Sequence, residues 1–163
     1  MEESIKDNPV FDESETEQLA ARTFLSGIKA TFSCQEQDVR SYSPLTLAYI
    51  GDAVYELVIR SVIVERANRS ANDLHKKAVH YVKAEAQANI VNALQELLTE
   101  EELAVYKRGR NAKSNTMAKN ATMKDYRSAT GFEALVGFLY LREQTDRLLF
   151  LIKEVILRCG MQI

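Results

Sequence analysis

Leu45-Thr-Leu-Ala-Tyr-Ile-Gly-Asp-Ala-Val-Tyr-Glu-Leu-Val-Ile-Arg60 decides the fold class. Between Leu45 and Val64 the only charged residues are Asp52, Glu56 and Arg60, spaced i, i+4, i+8. At about 3.6 residues per turn they share one stripe of a helix that is otherwise apolar. The run is long enough to cross a bilayer, but its three charges argue for a core helix. A second apolar run, Ser128-Ala-Thr-Gly-Phe-Glu-Ala-Leu-Val-Gly-Phe-Leu-Tyr-Leu141, carries one charge, Glu133. A lone carboxylate near a core is costly unless a cation compensates it. Two such acids, Asp52 and Glu133, each near a glycine, point to a shared cation and hence a metal site. The plainer alternative is a structural ion pair, and Glu56 with Arg60 has the helical spacing for one.

The remaining sequence predicts an all-α protein. Ser43 is placed to cap the first of these helices, with Pro44 in its opening turn, and the helix is expected to end near Arg66. A helix beginning at Asn72-Asp73 puts Leu74, Ala78 and Val82 on one face. Another is expected from about Ala84 to Leu98, with Ala88, Val91, Leu94 and Leu98 as its apolar stripe. Thr99-Glu-Glu-Glu102 is a capping box opening a helix through Tyr106. From Gly109 to about Lys124 the chain is polar and reads as an exposed loop. The Glu133 helix follows, and Thr145 is expected to cap a last helix through Leu157. No alternating strand pattern exceeds a few residues.

The chain has 163 residues and a net charge of −2, enough for one compact domain and not, in bulk, a nucleic-acid binder. Its charge is unevenly spread. Residues 1–40 hold nine acids against four bases, and residues 107–127 hold seven bases (Lys107, Arg108, Arg110, Lys113, Lys119, Lys124, Arg127) against Asp125 alone. Residues 1–40 are expected to be an acidic, mobile extension, and residues 41–163 the functional domain. The basic segment fits phosphate binding. Cys34 and Cys159 have no metal-ligand spacing and read as reduced thiols. The acidic start lacks the apolar stretch of a signal peptide, so a cytoplasmic protein without membrane association is expected. No nucleophilic triad appears; His75 and His80, five residues apart, make a poor ligand pair, and His80 reads as structural.

At Tyr49-Ile-Gly-Asp-Ala-Val-Tyr-Glu56 and Gly131-Phe-Glu-Ala-Leu135 the sequence resembles the ribonuclease III catalytic domain. The likeness spans about Ser43 to Gly160, and no double-stranded-RNA-binding domain is expected after it. With Asn72-Asp-Leu-His-Lys-Lys77 and Lys107-Arg-Gly-Arg-Asn-Ala-Lys-Ser114, it resembles the short branch called Mini-ribonuclease III. Where the larger enzymes carry two glutamates before the aspartate, this chain has Leu45 and Ala48; where they carry an aspartate before the later glutamate, it has Thr130. Only Asp52 and Glu133 remain of the family's acidic cluster, as in the short branch.

The resemblance implies a dimeric, helical endoribonuclease that cleaves double-stranded RNA. Asp52 and Glu133 would be both catalytic residues and metal ligands. The cofactor would be Mg2+, one or two ions per site, with Mn2+ able to substitute. Mg2+ takes oxygen ligands, keeps most of its waters and is commonly held by one or two carboxylates. Glu56 and Thr130 are candidates to support those ligands from beside them. Duplex RNA is read mainly through phosphates and 2′-hydroxyls, which suits His75, Lys76, Lys77, Lys107, Arg108, Arg110, Asn111, Lys113, Ser114 and Lys119 as RNA-binding residues. The homodimer would place two sites across one duplex, and the stripe Leu47, Ile50, Val54, Leu57 is apolar enough to serve it, although an intramolecular core explains the stripe equally well. The implied role is maturation of precursor 23S ribosomal RNA in bacteria, with room for a ribosomal protein that presents the substrate. A catalytically inactive RNA- or ribosome-binding protein of the same fold is the alternative, favoured by the missing acids. A plain helical interaction protein is a third, for which the unbalanced basic segment would be odd.

Overall fold

The computed structural model describes residues 22–82, 94–113 and 122–158, the side chains of Val82 and Asp125 excepted. The chain divides into two compact units, Met1–Glu36 and Gln37–Ile163. In the first, helix α1 (Phe24–Thr31) is capped by the Thr23 hydroxyl, which accepts from the Ser26 amide, and is followed by Ser33 at φ 52°. The second unit carries a 3-10 turn (Val39–Ser41), α2 (Pro44–Arg66), α3 (Ala71–Val82), α4 (Glu100–Asn111), α5 (Met123–Leu141) and α6 (Thr145–Arg158). The described residues contain no strand, as the all-α reading expects.

Helix α2 has the predicted bounds. The Ser43 hydroxyl accepts from the Thr46 amide at 3.1 Å, and Pro44 sits in the first turn, where its missing N–H costs nothing. The capping box of α4 is also formed: Thr99 Oγ1 accepts from the Glu102 amide, and Glu102 Oε2 accepts from the Thr99 amide. Arg147 on α6 then donates to both Glu102 oxygens at 2.8 Å and to the Leu97 carbonyl at 2.7 Å. Glu102 is buried, so this fork neutralises a charge that would otherwise be costly there.

Helix α5 is the centre of the unit. Every residue from Ser128 to Leu139 is buried except Glu133. A helix apolar on all sides must be surrounded, and α5 packs against α2, α4 and α6, most extensively against α2. Phe132, Leu135, Phe138 and Leu139 meet a core that includes Leu47, Val54, Tyr55 and Ile59 of α2 and Leu151, Ile152 and Val155 of α6. The Tyr55 ring stands edge-on to Phe132, centroids 5.5 Å apart, and its hydroxyl donates to the Tyr81 carbonyl, tying α3 to α2.

Several boundaries differ from expectation. The helix opened by the capping box does not stop at Tyr106 but continues to Asn111. Val105 and Tyr106 are buried and Gly109 packs on α5, so tertiary contact carries the helix through polar residues that lack an amphipathic signal of their own. The Glu133 helix begins at Met123, earlier than its apolar run. Residues 83–93 of the expected 84–98 helix lie outside the described residues; Leu94 is helical and a turn follows at 95–97. Thr145 is the first helical residue of α6 instead of its cap, and the Gln144 carbonyl accepts from the Leu148 amide.

Candidate active site at the crossing of α2 and α5

Two glycines let α2 and α5 touch backbone to backbone. A Cβ on Gly51 would stand 1.7 Å from the Glu133 carbonyl oxygen, and one on Gly137 would stand 2.0 Å from that of Leu47. No side chain fits at either position. The contacts lock the register, bringing Asp52, the neighbour of Gly51, to the turn of α5 that carries Glu133. A second pair of glycines works on the other side of α5. A Cβ on Gly109 would meet that of Ala134 at 2.7 Å, and one on Gly131 would meet the Tyr106 carbonyl oxygen at 2.8 Å.

Beside the first crossing lies an open cleft of about 580 Å³, lined by Leu45, Ala48, Tyr49, Ile50, Asp52, Ala53, Tyr126, Thr130 and Glu133. Asp52 and Glu133, eighty-one positions apart in the chain, share it. Glu133 is half-buried and Asp52 exposed. The expectation of a buried acid therefore holds for Glu133 and is corrected for Asp52, whose side of α2 opens to the cleft.

The electrostatics are those of negative charge without a counter-ion. Burial, and then the charge of Asp52, pushes the Glu133 carboxyl up to about 8. Partial shielding from water by the cleft wall, and then the charge of Glu56, raise that of Asp52. No arginine, lysine or hydrogen-bond donor offsets either effect among the described residues. A divalent cation would relieve both shifts at once, and two carboxylates are a usual protein share of an octahedral Mg2+ shell. The donor set therefore fits the ion that the family resemblance implies. No group of three or more His, Cys, Asp or Glu that could hold a metal occurs among the described residues. Leu45, Ala48 and Thr130, the positions where the larger enzymes carry acids, all line this cleft. The reduction to two acids is thus a property of the cleft wall itself.

The flanking candidates are also placed. Glu56 pairs with Arg60, the i, i+4 contact expected from their spacing. Thr130 is buried, and its hydroxyl donates to the Tyr126 carbonyl at 3.0 Å. Tyr49 and Tyr126 are cleft residues that the sequence reading passed over; each lies at helical spacing from an acid, Tyr49 three before Asp52 and Tyr126 seven before Glu133.

Lys107, Arg108, Asn111 and Lys113 are exposed, and Arg110 is partly covered, its Nε donating to Asn111 Oδ1 and its guanidinium lying over the Tyr106 ring. All but Lys113 belong to α4, which takes in Arg110 and Asn111 from the expected loop. Gly109 touches Gly131 and Thr130, so this basic end of α4 crosses α5 within one turn of Glu133. His75, Lys76 and Lys77 are exposed on α3. His80, read as structural, is exposed as well, its ring edge-on to Tyr81. Ser114 and Lys119 lie outside the described residues.

The stripe offered as a dimer face needs correction. Leu47 and Val54 are buried in their own core and Ile50 is partly covered, leaving Leu57 exposed.

Comparison with known proteins shows the family. Residues 45–144, which include both acids and all four packing glycines, match the Ribonuclease III domain. The chain belongs to the ribonuclease III family, and it is an endoribonuclease. Within that family it is similar to the Mini-ribonuclease 3 of Clostridium tetani, 52% identical over 122 residues covering 74% of this chain and 81% of the relative. It is also similar to the Mini-ribonuclease 3 of Enterococcus faecalis, 50% identical over 126 residues covering 76% and 96%. A crystal structure of a Fusobacterium nucleatum protein superposes with a TM-score of 0.67 at 33% identity, covering 74% of this chain and 97% of that one.

Proposed function

We propose that the chain cleaves double-stranded RNA in a Mg2+-dependent reaction, with Asp52 and Glu133 holding the cation. The observation that carries this reading is their meeting in one open cleft with no cationic partner among the described residues. When bound there, Mg2+ would relieve charge on the scissile phosphate and supply an activated water. Mn2+ offers the same oxygen-ligand chemistry. The residues themselves do the holding and the orienting. The backbone contact at Gly51 fixes the separation of the two carboxylates, and Glu133, half-buried, must surrender its proton before it can bind a cation.

The bases at the end of α4, together with His75, Lys76 and Lys77 on α3, are the proposed contacts to phosphates and 2′-hydroxyls, with Ser114 and Lys119 assigned from sequence. Such contacts select an RNA duplex by shape. A homodimer is part of the proposal. Tyr49 is 83% exposed and Leu57 and Val64 are each 55% exposed along one side of α2, with exposed Ala53 between them. Among the described residues nothing covers that apolar stripe, and two-fold pairing is the commonest way to provide a cover. Likeness to the Mini-ribonucleases 3 extends the proposal to precursor 23S ribosomal RNA, a bacterial cytoplasm and a ribosomal protein that presents the substrate. No helix among the described residues is long and apolar enough to cross a membrane.

The test is incubation of the protein with end-labelled duplex and single-stranded RNA of one sequence, with and without Mg2+. Duplex-specific cutting that needs the ion supports the reading, whereas binding without cutting supports the inactive alternative. Sedimentation at micromolar concentration should give twice the chain mass of 18.5 kDa.

A further inference from the structure

Asp52, Glu56 and Arg60 form a ladder along one side of α2. Side chains on a helix lean toward its N-terminus, so Arg60 reaches back over Glu56, and Glu56 over Asp52. The first step is a direct contact between Arg60 Nη2 and Glu56 Oε1. The second is set by the helix itself, since Glu56 stands one turn after Asp52 on the same side of α2. The Glu56 side chain is 33% exposed and that of Arg60 57% exposed. An ion pair so open to water contributes little to folding. Its position one turn from a cation-holding carboxylate is therefore the more informative fact.

Glu56 does not complete a third ligand position, since no three-ligand group occurs among the described residues. A Mg2+ ion on only two protein carboxylates keeps most of its waters. Those waters need acceptors, and carboxylates just outside the ligand set commonly supply them. Glu56 is the next acceptor along the helix. Without Arg60, its free carboxylate could swing over the preceding turn and compete for the ion itself.

We propose that Arg60 is a positioning residue. It holds the Glu56 carboxylate one turn from Asp52, where Glu56 accepts hydrogen bonds from the water shell of the cation instead of binding it directly. The inference rests on the reading of Asp52 and Glu133 as the ligands.

The test combines Mg2+ titration calorimetry on the RNA-free protein with kcat on a labelled duplex at saturating Mg2+. The variants are Glu56→Gln, Arg60→Met, Arg60→Lys, their Glu56→Gln/Arg60→Met double and, as a control on the ligands, Asp52→Asn. Glu56→Gln should weaken Mg2+ binding about tenfold. Arg60→Met should tighten it about two- to threefold, as removal of one positive charge about 12 Å away in a wet setting predicts, while lowering kcat about tenfold. Arg60→Lys should keep most of kcat. The double variant should have the kcat of Glu56→Gln alone. Additive losses in the double variant, or unchanged Mg2+ affinity in Glu56→Gln, would overturn the proposal. Lower melting temperatures with unaltered Mg2+ affinity and kcat would reduce the pair to a structural contact and overturn it too. Should Asp52→Asn bind Mg2+ as tightly as the parent, it is the ligand reading that fails, independently of Glu56 and Arg60.

Discussion

Gly51 and Glu133 are in backbone contact: a methyl group on the glycine would lie 1.7 Å from the glutamate's carbonyl oxygen. That contact fixes where Asp52 stands relative to Glu133, and the candidate active site depends on it.

Gly51→Ala should accordingly damage fold and function together. Nothing but backbone opposes the new methyl, so the helices must part. Overpacking of this kind costs about 3 kcal/mol or more. Urea denaturation should show that loss, and cleavage should fall even under conditions where the variant is folded. A variant as stable and active as the parent would show that the crossing is looser than described.

The raised Glu133 carboxyl sets a pH dependence. In the metal-free protein the folded state keeps this proton up to about 8, whereas an unfolded glutamate releases it near 4.5. Between those values the folded state binds more protons, so this group makes stability fall as pH rises. Glu133→Gln removes the effect. Its melting temperature should match the parent's near pH 4.5 and exceed it by a growing margin toward pH 8. In the parent, Mg2+ affinity should climb between pH 6 and 8 and then level off, as binding ceases to displace a proton. Calorimetry in buffers of different ionisation enthalpy would count that proton.

Arg147→Met should destabilise the second unit by about 3 kcal/mol, because Glu102 would be left buried and charged. Burial raises the Glu102 carboxyl, but the Arg147 hydrogen bonds and the Thr99 amide outweigh it and leave it below the ordinary range. A group with a lowered folded value stabilises above its unfolded value and loses that contribution as pH falls through the folded one. The penalty of Arg147→Met should therefore shrink as the medium becomes more acidic and Glu102 takes up its proton. A penalty independent of pH would assign Arg147's role to packing.

Replacing Lys107, Arg108, Arg110 and Lys113 by Ala should weaken binding to every duplex alike. Each lost phosphate contact should flatten the slope of log affinity against log salt by about 0.9. An unchanged slope in a filter-binding series would mark these bases as solvated side chains.

Helix existence was legible in the sequence wherever local signals and burial agree. Ser43 and Pro44 marked the start of α2, Thr99 and Glu102 that of α4, and the single charge in 128–141 marked α5 as a largely apolar helix. The end of α4 was not legible, because Gly109 belongs to the helix through its contact with Gly131, and no local pattern encodes a partner twenty-two residues away. Asp52 and Glu133 stood out as lone acids in apolar runs, but which of them is the more buried depends on how α2 is rotated about its axis. The same rotation separates Leu47 and Val54, which face the core, from Tyr49 and Leu57, which do not. Helical spacing alone leaves that angle open when a helix is apolar on nearly every side.

In the proposed reaction Asp52 and Glu133 together hold the cation that cleavage requires. The most direct test of that role is Asp52→Asn, which removes a charge with little change of shape, assayed for single-turnover cleavage of a labelled RNA duplex across a Mg2+ titration, with duplex affinity measured in parallel. The variant should be folded, bind duplex within a fewfold of the parent and not cut it at any Mg2+ concentration. Cleavage near the parental rate at the parental Mg2+ requirement would contradict that role.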